Sequence, residues 1–243
     1  MSREILSTGA NAERFVRRYG VVLRYQATAD LPLASLRAAA GPADSKAALV
    51  RSIELTNHLL GTARAVEVNV VAGRLTLVDR ALAPALYALV RRGRPPSDLS
   101  GVSLQARTAY ALVKERGAVS AGDVRTHLGV TATPRHDPAY EALGELQRWL
   151  LVDRGPFVIP KSGVPYLSRE GYPHRLFHQA HPDLVEEAES LSVADAADRW
   201  LGAYLAGVGP RPTPRKIASL FKLFLTRAEI AAALGRLGLS SWA

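Results

Sequence analysis

Residues 104–159 read LQARTAYALVKERGAVSAGDVRTHLGVTATPRHDPAYEALGELQRWLLVDRGPFVI, and their punctuation decides the fold. Leu104 to Arg116 has helical character and meets a stop at Gly117. Ser120-Ala121-Gly122-Asp123 has the form of a capping box: the Ser hydroxyl accepts an early backbone N–H while the acidic side chain three positions on reaches back to the cap. Gly129 closes that short second helix, and Asp137-Pro138 opens a third carrying Leu143, Leu146, Trp149 and Leu150 on its packing face. Leu151-Val152-Asp153, a turn at Arg154-Gly155-Pro156 and Phe157-Val158-Ile159 then predict a short β-hairpin. Helix, helix, helix and hairpin in this order is the winged-helix plan.

The residues before this stretch repeat the plan. A helix over 12–19 is followed at Gly20 by the β-prone run Val21-Val22-Leu23-Arg24-Tyr25, and Pro32 opens a helix over 33–40 that Gly41-Pro42 ends. Asp44 is the expected N-cap of a longer helix whose apolar face holds Leu49, Ile53, Leu59 and Leu60. Val66-Glu67-Val68-Asn69-Val70 and Leu75-Thr76-Leu77-Val78 alternate with period two around Ala72-Gly73, the signature of a hairpin. Behind the central stretch, Ser192, Thr213-Pro214 and Thr226 with Glu229 start three further helices, with at most a vestigial wing after them.

The expected organisation is thus a mainly α protein with small β-hairpins, built of tandem winged-helix units. A winged-helix-like unit spans 1–80, a connecting helix and linker 81–102, a winged helix 103–160, an ordered connecting segment 161–191, and a helix-turn-helix unit 192–243.

Composition narrows the chemistry. Among 243 residues, Lys+Arg number 31 against 22 Asp+Glu, a net charge of +9 that favours a polyanionic partner. With no cysteine the chain has no thiolate nucleophile, Cys-ligated zinc or iron–sulfur cluster. No Walker loop, Gly-x-Gly-x-x-Gly or Gly-x-Ser-x-Gly elbow is present. Neither a secretory leader nor a membrane-length apolar run is found, so a cytoplasmic protein with no membrane partner is expected. Oligomeric state stays open.

In a helix-turn-helix the second helix presents its N-terminal residues to the major groove while nearby cations hold phosphates. That geometry nominates Lys46 and Arg51 in the first unit, Arg135 and Arg148 with Arg154 in the wing of the second, and Arg215, Lys216, Lys222 and Arg227 in the third. DNA is the expected partner, with no cofactor. His174, His178 and His181 form the densest histidine group, but Pro173 and Pro182 bracket it and no His-Glu-x-x-His occurs, so no metal site is assigned. Tyr166, Tyr172 and Phe177 in the same region are read as packing between units rather than as a stacking surface for an extruded base.

The run Leu82-Ala83-Pro84-Ala85-Leu86-Tyr87 through Asp98-Leu99-Ser100-Gly101-Val102, followed by the central unit, resembles the AlkZ-like family of winged-helix DNA-binding proteins. So do residues 194–205, Pro214-Arg215-Lys216-Ile217-Ala218-Ser219-Leu220-Phe221 and residues 228–237. The resemblance implies three successive winged-helix-like units and a role in DNA repair, since the family includes glycosylases that excise alkylated bases and unhook interstrand crosslinks. Those glycosylases carry Gln-x-Gln or Gln-x-Asp in the first unit, where the side chains position water at the sugar's anomeric carbon. This chain has neither: its glutamines are Gln26, Gln105, Gln147 and Gln179, and Ala40-Gly41-Pro42-Ala43-Asp44 occupies the corresponding region. Asp44 is the sole candidate for the motif's final carboxylate. The expected function is therefore DNA binding in repair or genome maintenance, with a divergent glycosylase or a transcription regulator as alternatives.

Overall fold

A computed structural model describes residues 5–26, 31–133, 136–157, 171–208 and 212–239. It begins with α1 (Gly9–Tyr19), whose first turn is capped by the Thr8 hydroxyl and whose last turn ends at Gly20, where φ of +65° suits glycine. Strands β1 (Val21–Leu23) and β2 (Ala34–Ser35), helices α2 (Leu36–Ala39) and α3 (Lys46–Gly61), and strands β3 (Ala65–Val71) and β4 (Arg74–Asp79) follow. The expected hairpin is β3–β4, with Val66 opposite Val78 and Glu67 opposite Leu77, and β1 pairs antiparallel with β4 on its other side. The strand order is β2-β1-β4-β3.

Two expectations in this part are corrected. Pro32 does not open a helix: Ala34 and Ser35 pair with Val22 and Leu23, and only then does the Ser35 hydroxyl accept from Ala38 N to start the four-residue α2. Nor does Asp44 cap α3. The Ser45 hydroxyl accepts from Ala48 N at 3.2 Å, and Asp44 lies one residue outside the cap, exposed to solvent.

Helix α4 (Ala83–Arg91) leads to α5 (Leu104–Arg116), β5 (Ala118–Val119), α6 (Ala121–Leu128), α7 (Pro138–Arg148) and β6 (Val152–Arg154). Both halves of the Ser120/Asp123 capping box are formed, Gly129 is left-handed at φ +63°, and Asp137 caps α7 by accepting from Ala139 N and Tyr140 N. The expected tight turn at Arg154-Gly155-Pro156 is not made. Arg154 is still a ladder residue, and β6 pairs with β7 (His174–Leu176), placing Val152 opposite Leu176 and Arg154 opposite His174. Gly155 N–H extends the ladder to Pro173 O at 2.8 Å, while Phe157 N–H turns away to Asn57 Oδ1; Val158 and Ile159 lie outside the described residues. With β5 on its far side, β7 is the middle strand of the order β5-β7-β6.

The chain closes with α8 (Phe177–Ala180), α9 (Pro182–Glu189), α10 (Val193–Gly207), α11 (Pro214–Phe221) and α12 (Arg227–Arg236). Ser192, Thr213 and Thr226 cap the last three as read from sequence. Their aromatic side chains meet edge to face around fully buried Trp200, with ring centroids 5.6 Å from Phe221 and 5.4 Å from Phe224. That core is continuous with α4 and with the valines of β3, and Ala72 N–H of the first hairpin donates to Leu220 O of α11. Two smaller cores lie among α5, α6 and α7, and between α1, α3 and the first sheet. Among the described residues no helix is long and apolar enough to cross a membrane.

Candidate nucleic-acid interface

The turn before α3 is held from below by two arginines. Arg37, buried, donates Nη2 to Ala43 O at 2.6 Å and to Ser45 O at 3.1 Å, while Arg51 donates Nη1 to Ala40 O at 2.8 Å. Arg51 thereby spends part of its guanidinium on the backbone, and Lys46, in the first turn of α3, is left exposed. Asp44 is exposed on the same turn, with no side-chain bond that would orient it within the described residues.

In the central unit the α6–α7 corner is fixed by Arg125, which donates Nε and Nη2 to the Asp137 carboxylate at 3.0–3.2 Å. Partial burial alone would raise the Asp137 pKa, but the Arg125 bonds and two backbone N–H groups outweigh it and hold the carboxyl below its usual range. Arg148 is exposed, yet it is the last residue of α7, about 15 Å along the axis from Pro138 at a 1.5 Å rise per residue. Arg135 lies outside the described residues. Arg154 must be removed from the surface set: it is 3% exposed, with Nε 2.8 Å from Glu67 Oε1, because its strand packs against β3 instead of projecting as a wing.

Around the last helices Arg215, Lys222 and Arg227 are exposed and Lys216 is half-buried. The N-terminus of α12 is docked as well as capped. Glu229 accepts from Arg92 Nη1 at 2.7 Å and Nη2 at 3.0 Å, and this pairing first, with the cap bonds of Thr226, draws the Glu229 pKa down to about 2.

A buried polar centre joins the two sheets, and sequence reading missed it. Glu67 lies between Arg24, with Nη1 at 2.6 Å from Oε2, and Arg154 on the other oxygen. Arg24 Nη2 also donates to the Tyr172 hydroxyl at 2.6 Å, and both guanidinium groups lie over the Tyr172 ring at 4.6 and 4.5 Å. Beside it, Asp153 meets Arg175 and His181, each at 2.7 Å. Burial would raise the Asp153 pKa, but the bonds from His181 and Arg175 hold it below the usual carboxylate range. His174, wholly enclosed, is driven down to about 3 by burial and then by Arg154, so its ring is neutral at pH 7. Glu67 and Asn69 occupy the alternate, polar positions of β3, and period-two alternation does not by itself distinguish a solvent face from one covered by β6 and α7. These carboxylates are enclosed and neutralised by cations, an arrangement that locks strands together.

The three C-terminal histidines go different ways. His174 sits in the sheet, His178 is half-buried on α8 and His181 is on Asp153. Among the described residues no group of three potential ligands could hold a metal. Tyr172 and Phe177 are buried, the latter stacked on Tyr87 with centroids 5.3 Å apart; Tyr166 lies outside the described residues.

No family model matches the chain, and no curated protein is similar to it in sequence. Among solved structures it is similar to Streptomyces sahachiroi DNA glycosylase AlkZ, with a TM-score of 0.54 at 16% identity over 98% of this chain. The chain spans 61% of the length of that glycosylase. At this identity the likeness is one of fold.

Proposed function

We propose that this protein binds duplex DNA through tandem winged-helix units, in repair or genome maintenance. The observation that carries the reading is a repeated topology. In each sheet the strand after the first helix pairs antiparallel with the third strand, which pairs antiparallel with the second: β1-β4-β3 and β5-β7-β6. Each follows the order helix, strand, helix, helix, strand, strand, once the two-residue β2 is set aside, and α10 to α12 are read as a third helix-turn-helix. The neighbour of similar fold is a DNA glycosylase. The phosphate-contact set is Lys46, Arg51, Arg135, Arg148, Arg215, Lys216, Lys222 and Arg227, without Arg154.

Titration of a labelled duplex across salt concentrations tests this. Log affinity falls linearly with log salt, by about 0.9 for each phosphate neutralised, and Lys46→Gln with Arg215→Gln lowers both affinity and slope for unrelated sequences alike. A protein that binds neither duplex nor branched DNA at low salt removes the proposal.

The fold likeness to a glycosylase favours a second reading, divergent base excision. Such chemistry needs a group that positions water at the anomeric carbon. Asp44 is the candidate, being exposed at the start of α3, whereas Glu67 and Asp153 are tied into ion pairs. Alkali-labile sites formed in alkylated or crosslinked duplex by the native protein, and lost in Asp44→Asn, would support it; no such sites would exclude it.

A further inference from the structure

Helix α1 carries a feature that the duplex-binding reading does not use. Ala12 and Val16 are fully buried against the core, and the opposite face is exposed with Arg14, Arg17 and Arg18. Between these faces, Asn11, Phe15 and Tyr19 recur every fourth residue and stand one above another. Phe15 and Tyr19 are half-buried, their ring centroids 4.7 Å apart at 56°. With Leu6, Arg14 and Arg18 they line an open cavity of about 460 Å³ at the junction of α1 with α2, within the usual size of small-ligand sites, roughly 300–1,000 Å³.

The walls of this cavity have complementary chemistry. Its floor is aromatic, and the planar Arg18 guanidinium lies 5.5 Å over the Tyr19 ring, the face on which a base would stack once that side chain swings to its phosphate. Asn11 accepts from Arg14 Nη2, which leaves the Asn11 amide N–H groups as donors. Among the described residues neither Arg14 nor Arg18 meets a carboxylate. An aromatic platform between two unneutralised guanidinium groups fits a flat heterocycle attached to a phosphate, the combination by which proteins hold unstacked bases of single strands.

We propose that the α1 cavity binds one unstacked nucleotide of single-stranded nucleic acid, its base on Tyr19 and Phe15 and its flanking phosphates on Arg14 and Arg18. The site is separate from the helix-turn-helix faces and does not rest on duplex binding.

Fluorescence anisotropy with a short labelled oligo(dT), beside a blunt duplex, decides it. Tyr19→Leu lowers oligo(dT) affinity roughly tenfold, as expected for loss of one stacked base, with the salt slope unchanged. Tyr19→Phe retains native affinity, because the ring and not the hydroxyl is used. The double variant Arg14→Gln, Arg18→Gln, altered only at exposed positions, reduces both affinity and the salt slope, by about 0.7 for each single-strand phosphate that is no longer neutralised. All three keep duplex affinity within about twofold. Native protein that ignores oligo(dT), a Tyr19→Leu or Arg14→Gln, Arg18→Gln variant that binds it as the native chain does, a Tyr19→Phe as weak as Tyr19→Leu, or a duplex affinity that falls in parallel would each overturn the proposal. If duplex binding is absent while oligo(dT) binding depends on Tyr19 and the arginines, the tandem-unit reading fails and this one stands.

Discussion

Replacing Glu67 by Gln tests what holds the two sheets together. The substitution keeps shape but removes the carboxylate that lies between Arg24 and Arg154, whose nitrogens lie 2.6 and 2.8 Å from its oxygens and whose side chains are 4% exposed. Charge centres about 4 Å apart attract by about 4 kcal/mol at an effective dielectric of 20, and here two such attractions vanish while the repulsion between the arginines remains. Removing one partner of a buried ion pair costs about 3–5 kcal/mol, and this case belongs at or above that range. Set against a total stability of about 5–15 kcal/mol, the loss is large. With a urea slope of about 3 kcal/mol per molar, the unfolding midpoint falls by about 1 M or more. The triple variant Arg24→Met, Glu67→Leu, Arg154→Met removes every charge and recovers most of that loss, because well-packed apolar groups can replace a buried ionic cluster at little cost. A midpoint for Glu67→Gln within about 0.2 M of native, or a triple variant weaker than the single one, would mean that these charges do not hold the sheets together.

Ser45→Ala destabilises by about 1 kcal/mol through loss of the α3 cap, whereas Asp44→Ala stays within about 0.5 kcal/mol, and thermal melts of the two side by side check the assignment. His174 is neutral in the fold with a pKa of about 3 against 6.5 when free, so unfolded chains bind the extra proton between these values. Stability from this residue is present above pH 6.5 and declines as pH falls toward 3. His174→Gln flattens the pH dependence of the urea midpoint across that window, and an unchanged slope would contradict the burial that depresses it.

Local chemistry was legible and long-range pairing was not. Ser120 with Asp123, Thr226 with Glu229, Asp137-Pro138 and Gly129 each mark a helix end within a few residues, because a cap is satisfied by its own neighbours. Asp44 and Ser45 are both good caps at adjacent positions, and only the bond to Ala48 N separates them. The partner of β6 could not be read locally, since His174 lies 20 residues beyond Arg154 in the chain. The same gap hid the candidate surface: Arg154 counted as an exposed wing cation until β6 was seen to lie against β3, where Glu67 takes it up. The RFVRRY run of α1 carries no helix-turn-helix signal, because groove-reading residues lie on the second helix of the pair and not on the first. Its four-residue spacing of ring and cation was in plain view, but the cavity beside it depends on α2 and Leu6.

The placement of α1 depends in turn on a close crossing with α10. A Cβ added at Gly207 would lie 2.7 Å from Tyr19 O, 2.8 Å from Tyr19 Cα and 3.0 Å from Tyr19 C, all backbone atoms that cannot swing aside. Gly207→Ala must therefore separate the two helices, and overpacking of this kind costs about 1–3 kcal/mol. At about 2–4 °C per kcal/mol for a chain of this size, the melting temperature falls by roughly 5 °C. Gly61 is the control: it too ends a helix, but nothing lies within 4 Å of its added Cβ. Gly61→Ala gains helix propensity without a clash, up to about 1 kcal/mol, and raises the melting temperature slightly. The opposite signs matter because both changes add the same methyl group, so propensity alone predicts that Gly207→Ala stabilises. Equal shifts in the two variants would mean that the backbone of α1 at Tyr19 and α10 do not cross this closely.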